Sequence, residues 1–308
     1  MVGKYATETL AADKRGLVRA VARLRAGELV ALPTETVYGL AARADAPAAV
    51  AAIFAAKGRP DFNPLIVHVA SLDDAKRLAE FSPAAVQLAK DYWPGPLTLV
   101  VPRRTDADLA DAVTAGLDTV AIRVPAHPVM RAVLNQTDFP LAAPSANRSG
   151  FISPTSADHV LASLDGRIHS VVDAGPCSRG VESTILAVRG DGTLDQLRPG
   201  PIDIGTCRNG GQVEAPGQLA SHYAPGKPVR LNAQQAEPDE FYIGFGQYAG
   251  DCSLSASQDL KVAAASLYAC LHAGAASDKP RIAVASVPDR GIGKAINDRL
   301  RRAAAPLD

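Results

Sequence analysis

In the stretch "KGRPDFNPLIVHV", Lys57 to Val69, two cations stand two residues apart and a Pro-rich turn leads into an apolar run carrying His68. Lys57 falls at the end of a helical segment, where a cation favours the helix dipole and needs no ligand. Arg59 lies past the helix-stopping Gly58, and Pro60 and Pro64 stiffen the loop around it. A rigid guanidinium fork beside a point-charge ammonium suits a polyphosphate, so the pair points to anion binding. Arg123 sits inside the apolar "VAIRVP", where a guanidinium is costly unless paired. Its partner is either an internal carboxylate such as Glu182 or a substrate anion. Arg198 in "LRPG" poses the same choice with less force. His68 is open between a satisfied core residue and a neutral imidazole donating to a substrate carboxylate or carbonyl. In "PSAN", Ser145 and Asn147 either cap a turn or present a hydroxyl and an amide to a ligand.

Other chemistries find little support. No G-x-x-x-x-G-K-[ST] or G-x-S-x-G occurs, and "GFGQYAG" has the wrong spacing for a dinucleotide fingerprint and reads as a turn. "PTET" and "VEST" place hydroxyls near Glu without a coherent Ser/His/Asp set, which argues against a hydrolase. Cys177, Cys207, Cys252 and Cys270 are widely spaced and suggest neither a zinc site nor a disulfide framework, so a reducing cytoplasm is expected. Lys+Arg and Asp+Glu both number 32, which disfavours blanket attraction to nucleic acid or membrane. The charge-broken N-terminus is not read as a signal peptide, and no window has the apolar length of a membrane span.

These residues need elements to position them. Apolar spacing at Leu17, Val21 and Leu24 predicts a helix over Leu10 to Ala26, ended by Gly27. A strand at Leu29 to Leu32 precedes the "PTETVYG" turn. Ala46 to Lys57 reads as a helix capped by Asp45 and stopped by Gly58. Strands at Leu65–Val69, Leu97–Pro102, Thr119–Val124, Ser170–Asp173, Ser183–Arg189 and Leu194–Arg198 alternate with helices, a mixed α/β pattern. Polar residues gather at strand ends, where α/β folds place ligands. At 308 residues two domains are expected. Residues 1–208 form the first, a Gly/Pro-rich stretch over 209–228 is a linker or lid, and 229–308 form a small α/β second domain.

Seven blocks, "PTETVYGL", "KGRPDFNPLIVHV", "YWPGPLTLV", "AIRVP", "PSANRSG", "GVESTI" and "LRPG", occur in this order over some 170 residues. Together they resemble the YrdC-like domain of threonylcarbamoyl-adenylate synthases. "SHYAPGKP" is similar to the linker of the family's two-domain members. The resemblance implies a twisted mixed sheet with flanking helices around a basic cavity, followed by a small Rossmann-like domain. It implies a nucleotidyltransferase that makes threonylcarbamoyl-AMP and pyrophosphate from L-threonine, bicarbonate and ATP, with Mg²⁺ carried on the phosphates. The product would pass to a transferase complex that makes threonylcarbamoyladenosine in tRNA.

By the same resemblance ATP would contact Lys57, Arg59, Asn63, Thr119, Ser145, Asn147, Ser153, Arg198 and Tyr223. Threonine would contact Thr36, His68, Arg123, the Ala143 carbonyl and Ser183. The catalytic set would be Lys57, Arg59, Ser145 and Asn147. An RNA-binding module using the same basic concavity is the competing reading, weakened by zero net charge and few aromatics. Carbamoyl transfer of the hydrogenase-maturation type is a third, but its zinc-finger cysteines and acylphosphatase-like region have no counterpart here.

Overall fold

Short apolar runs broken by turn residues become strands here, and amphipathic segments between them become covering helices. The computed structural model describes residues 6–205, 207–209, 214–216 and 222–305. In chain order the first part comprises β1 (Glu8–Ala11), α1 (Lys14–Arg25), β2 (Val30–Leu32), β3 (Gly39–Arg43), α2 (Pro47–Lys57) and β4 (Ile66–His68). Then come α3 (Leu72–Leu78), α4 (Pro83–Tyr92), β5 (Leu97–Pro102), β6 (Thr119–Arg123), α5 (Pro128–Leu134) and β7 (Leu141–Ala142). It ends with α6 (Ala157–Leu164), β8 (Ser170–Asp173), β9 (Thr184–Val188), β10 (Leu194–Arg198) and β11 (Arg208–Asn209). The second part holds β12 (Val229–Arg230), β13 (Glu240–Gly244), β14 (Cys252–Ser253), α7 (Leu260–Ala276), β15 (Arg281–Val284) and α8 (Gly293–Ala303).

Among the described residues, β1 to β11 build one mixed sheet in the order β1-β8-β2-β3-β7-β4-β6-β5-β9-β10-β11. The other four strands form a small sheet, β12-β15-β13-β14, parallel throughout. This is the mixed α/β architecture that the sequence pattern implies. In the large sheet β4 and β6 run parallel and pair His68 with Arg123, so both side chains emerge at one strand end. Beside them β7 pairs antiparallel with both β4 and β3, and delivers the "PSAN" segment to the same end.

Several local expectations need correction. Leu10 belongs to the edge strand β1, paired with β8; the helix starts later, at Lys14, where Asp13 caps it by accepting from the Gly16 amide. Asp45 does not cap α2: its carboxylate is held by Arg43, and the helix starts instead with Pro47 at its first turn. The stop at Gly58 is as expected, in the left-handed conformation. Cys252 and Cys270 are joined in a disulfide between β14 and α7, a pairing across the second sheet that their separation of 18 residues conceals. The expectation of unpaired cysteines therefore fails, and with it the argument for a reducing compartment.

The two sheets share packing. Val37, Ile152 and Val181 from the first part are buried in the cluster formed by Leu267, Tyr268 and Leu271 of α7. Gly180 makes this approach possible: a Cβ there would lie 2.3 Å from the Ala264 carbonyl oxygen, and its φ is +70°. Nearby, His159 of α6 stacks on His272 of α7 with centroids 3.8 Å apart. The His272 Nε2 donates to the Ser153 carbonyl at 3.2 Å.

Burial, and then the adjacent His159, lowers His272 to about 4, and burial lowers His159 too. Both rings therefore pack best when neutral. Their contribution is fully present above the ordinary histidine value of 6.5 and is lost as the pH falls from there toward about 4. Thermal unfolding midpoints followed from about pH 7.5 down to about pH 4.5 should fall, and His272→Gln should flatten that slope. An equally steep slope in the variant would rule this pair out as its source.

Candidate active site

Four turns converge on one cavity, lined among others by Thr34, Thr36, Arg59, His68, Arg123 and Ala143, and by Ser145, Glu182, Ser183, Arg198, His222 and Tyr223. The turn after β2 is held by Thr34, whose hydroxyl donates to the Val37 carbonyl and accepts from the Val37 amide. Tyr38 stakes it down by donating to the Gly175 carbonyl at 2.8 Å. The α2 C-terminus turns at Gly58 and sends Arg59 back toward the sheet. There its Nε donates to the Asn63 carbonyl at 3.2 Å and its Nη2 to the Pro64 carbonyl at 2.9 Å. Burial, then nearby Arg198, lowers Arg59 to about 10, so it remains cationic near neutrality.

Lys57 is fully covered and lies behind the wall, with its Nζ donating to the carbonyls of Ser145 and Asn147 at 2.5 Å each. Burial, with Arg59 beside it, takes its pKa well below the usual lysine value. Its first job is thus to fix the "PSAN" turn. Arg123 is paired with Glu35 at 2.5 Å, and not with Glu182 as one sequence reading allowed. It also donates to the Thr36 hydroxyl at 3.0 Å and the Gly95 carbonyl at 3.1 Å. Burial works to raise the Glu35 carboxyl, but Arg123 outweighs it and the net shift is downward.

His68 is buried and, through burial and then Arg123, is lowered to about 3, hence neutral. Its Nδ1 lies 3.2 Å from the Ile66 carbonyl, which can only accept, so the ring proton belongs on Nδ1 and Nε2 carries a lone pair. Nε2 of His68 is therefore left as an acceptor, whereas the donor role that the sequence leaves open beside a satisfied core residue would need a proton there. Arg198 donates from Nε to the Ser183 carbonyl and from Nη2 to the Ser183 hydroxyl, each at 3.0 Å. That clasp depends on Gly200, where a Cβ would stand 2.3 Å from the Thr184 amide nitrogen.

Nine of the residues singled out from sequence line this cavity: Thr36, Arg59, His68, Arg123, Ala143, Ser145, Ser183, Arg198 and Tyr223. Asn63 and Asn147 are buried close by, and the side-chain Oδ1 of each has no partner among the described residues. Such orphaned acceptors inside a polar site are places for ligand donors. Ser153 is different: its hydroxyl donates to Glu182 at 2.6 Å and is thereby occupied. Thr119 starts β6 on the same face as Arg123 but about 13 Å away along the strand, outside the cavity lining. Of the predicted linker, residues 210–213 and 217–221 lie outside the described residues.

Sequence reasoning passed over Glu35, Glu182 as a wall residue, and His222. Glu35 and Glu182 sit in the "PTET" and "VEST" blocks, where the sequence offers Glu182 only as a partner for Arg123 and gives Glu35 no role. His222 was signalled by its neighbour Tyr223: both are buried, and burial lowers His222 to about 3.

Residues 22–200 match the family model described as telomere recombination, Sua5/YciO/YrdC, and residues 192–305 match that of the threonylcarbamoyl-AMP synthase C-terminal domain. The threonylcarbamoyl-AMP synthase of Bacillus subtilis (strain 168) is 40% identical, covering 97% of this chain and 95% of its own length. The Pyrococcus abyssi (strain GE5 / Orsay) protein of the same name is 38% identical over 91% of this chain and 92% of its own. The crystal structure of P. abyssi Sua5 complexed with L-threonine gives a TM-score of 0.89 at 35% identity, covering 97% of this chain and 98% of that one. The resemblance drawn from the seven sequence blocks is borne out.

Replacing Lys57 by Met would leave the Ser145 and Asn147 carbonyls without their donor in a buried site. A loss of roughly 2–4 kcal/mol in chemical denaturation is expected. A variant as stable as the parent would show that the ammonium does not hold this turn.

Proposed function

This chain belongs to the Sua5/YciO/YrdC family and carries the C-terminal domain of threonylcarbamoyl-AMP synthases, and on that premise we propose that its cationic cavity joins L-threonine, bicarbonate and ATP. The chain is an enzyme that makes threonylcarbamoyl-AMP. Nucleotidyl transfer, with pyrophosphate as leaving group, is the reaction class we assign. The observation that carries the assignment is the convergence of Arg59, Arg123 and Arg198 with His68, Ser145 and Ser183 on one cavity from distant parts of the chain.

The reaction brings two anions together, which calls for charge and placement more than for a covalent nucleophile. The amine of threonine combines with bicarbonate-derived CO₂ to give a carbamate. A carbamate oxygen then attacks the α-phosphorus of ATP, the bond to the bridging oxygen breaks, and pyrophosphate departs. Arg59 and Arg198 would meet the triphosphate, and the orphaned Oδ1 atoms of Asn63 and Asn147 would accept from nucleotide amino or hydroxyl groups. Arg123 would hold the threonine carboxylate with the part of its fork that Glu35, Thr36 and Gly95 leave free. The Nε2 of His68 would take the threonine hydroxyl or amine. Burial of this wall excludes water, in which a carbamate survives poorly.

The two carboxylates beside the cavity are each committed to an arginine, Glu35 to Arg123 and Glu182 to Arg299. The donor set therefore suits Mg²⁺ carried on phosphate oxygens, with hydroxyls such as Ser145 and Ser183 nearby. Bound there, the ion supplies neutralisation of the leaving pyrophosphate. The product would feed a transferase that modifies tRNA, and on that reading we propose a cytoplasmic enzyme. Among the described residues no helix is long and apolar enough to cross a membrane.

The purified chain should release pyrophosphate from ATP only when threonine and bicarbonate are both supplied; release independent of either would refute the assignment. Arg59→Ala should weaken ATP binding by about 2–4 kcal/mol, measured on folded protein, since it also takes the donor from the buried Asn63 and Pro64 carbonyls and should lower stability. Equal affinity in that variant would remove Arg59 from the nucleotide site.

A further inference from the structure

Glu182 is the one carboxylate on the cavity lining among the described residues, and it faces a site that must attract anions. Its charge is matched from the other sheet. Arg299 of α8 has no exposed surface, and its Nε lies 2.9 Å from Glu182 Oε2. Tyr268 of α7 donates its hydroxyl to both carboxylate oxygens, at 3.0 and 2.9 Å, and Ser153 donates to Oε1. Burial tends to raise the Glu182 carboxyl, and Arg299, then Arg198, outweighs it and holds it at about 2. The carboxylate is thus fully ionised.

We infer that Arg299 is a positioning counter-ion supplied by the C-terminal domain, which neutralises Glu182 and so leaves Arg198 free to bind the triphosphate. The inference rests on the function proposed above and deepens it. Arg123 is already matched by Glu35, so the net positive charge of the lining comes from Arg59 and Arg198. Without Arg299, the cation left to Glu182 is Arg198, and one of those two charges would be cancelled. Arg299 is itself tied to Asp298, which also binds Arg302, so α8 brings two guanidinium groups against one carboxylate, and the surplus positive charge is the one that faces Glu182.

Mere docking does not account for this arrangement. A buried ion pair is a weak source of stability compared with apolar packing of the same volume, and the apolar contacts of Val37, Ile152 and Val181 already join the two parts. What the pair adds is control of charge at the cavity wall. Tyr223 of the linker packs over the same group, with its ring 5.5 Å from the Arg299 guanidinium, so linker, C-terminal domain and cavity meet at one carboxylate.

The test uses the full-length chain, with ATP and inorganic pyrophosphate as calorimetric probes. Arg299→Gln should weaken both by about ten- to a hundredfold, and should raise KM for ATP far more than KM for threonine, which Arg123 serves separately. The double variant Glu182→Gln with Arg299→Gln should regain at least about tenfold of the lost affinity, because no charge remains to be neutralised. A double variant as weak as Arg299→Gln would make Arg299 a purely structural residue and overturn the inference. Should Arg299→Gln fail to fold, Glu182→Gln alone decides: retained or tighter ATP binding is expected, and weaker binding overturns the idea. Absence of ATP binding by the parent chain would instead overturn the proposed function itself.

Discussion

Concentrating positive charge where water hardly reaches is the constraint around which this molecule is organised. Unpaired, buried cations are prohibitively costly, yet cations neutralised by carboxylates would no longer attract an anion. The chain resolves the conflict largely with backbone carbonyls. Lys57 is held by the carbonyls of Ser145 and Asn147, Arg59 by those of Asn63 and Pro64, and Arg198 by that of Ser183. A carbonyl dipole satisfies an N–H without cancelling the net charge, so the field of the guanidinium persists into the cavity. Arg123 is the exception, paired with Glu35, and it is the cation assigned to the smaller anion.

Carbonyls can serve this way only if the turns that carry them are rigid and face inward. That requirement explains the crowding of Pro and Gly at the strand ends: Pro60 and Pro64 around Arg59, Gly95 presenting its carbonyl to Arg123, Gly200 allowing β9 to approach the Arg198 turn. The mixed sheet does the rest. Parallel β4 and β6 align His68 with Arg123 across one register, and antiparallel β7 returns "PSAN" to lie against the α2 C-terminus. The fold brings residues a hundred positions apart within hydrogen-bonding distance.

Much of this was legible from sequence because it is written in local terms. The Lys57–Arg59 spacing, the Gly58 stop, strands Leu97–Pro102, Ser170–Asp173 and Leu194–Arg198, and the cation inside "VAIRVP" each follow from neighbouring residues. What failed is long-range. The partner of Arg123 lies 88 residues away in a block that resembled a failed nucleophile motif, and nothing local distinguishes Glu35 from Glu182 as the claimant. β3 and β7 hide within turn-rich stretches because their pairing, not their propensity, makes them strands. β1 was absorbed into a helix because Leu10 also fits the helical face, and only its pairing with β8 decides the matter. The Cys252–Cys270 bond is a tertiary fact of the same kind.

The second domain then has a reason to exist beyond covering an apolar face. A carboxylate on the cavity wall, Glu182, is tolerable only while something neutralises it, and the groups that do so, Arg299 and Tyr268, come from α8 and α7. Tyr223, in a left-handed conformation at φ 65°, turns the linker so that its ring rests between this cluster and the cavity. The left-handed region costs a non-glycine residue about 1 kcal/mol or more, and such a cost persists where the surroundings fix the conformation. Here they do: the ring contacts of His222 and Tyr268 close on Tyr223 from both sides. Charge balance at the wall and the seating of Tyr223 therefore rest on the same docking of α8.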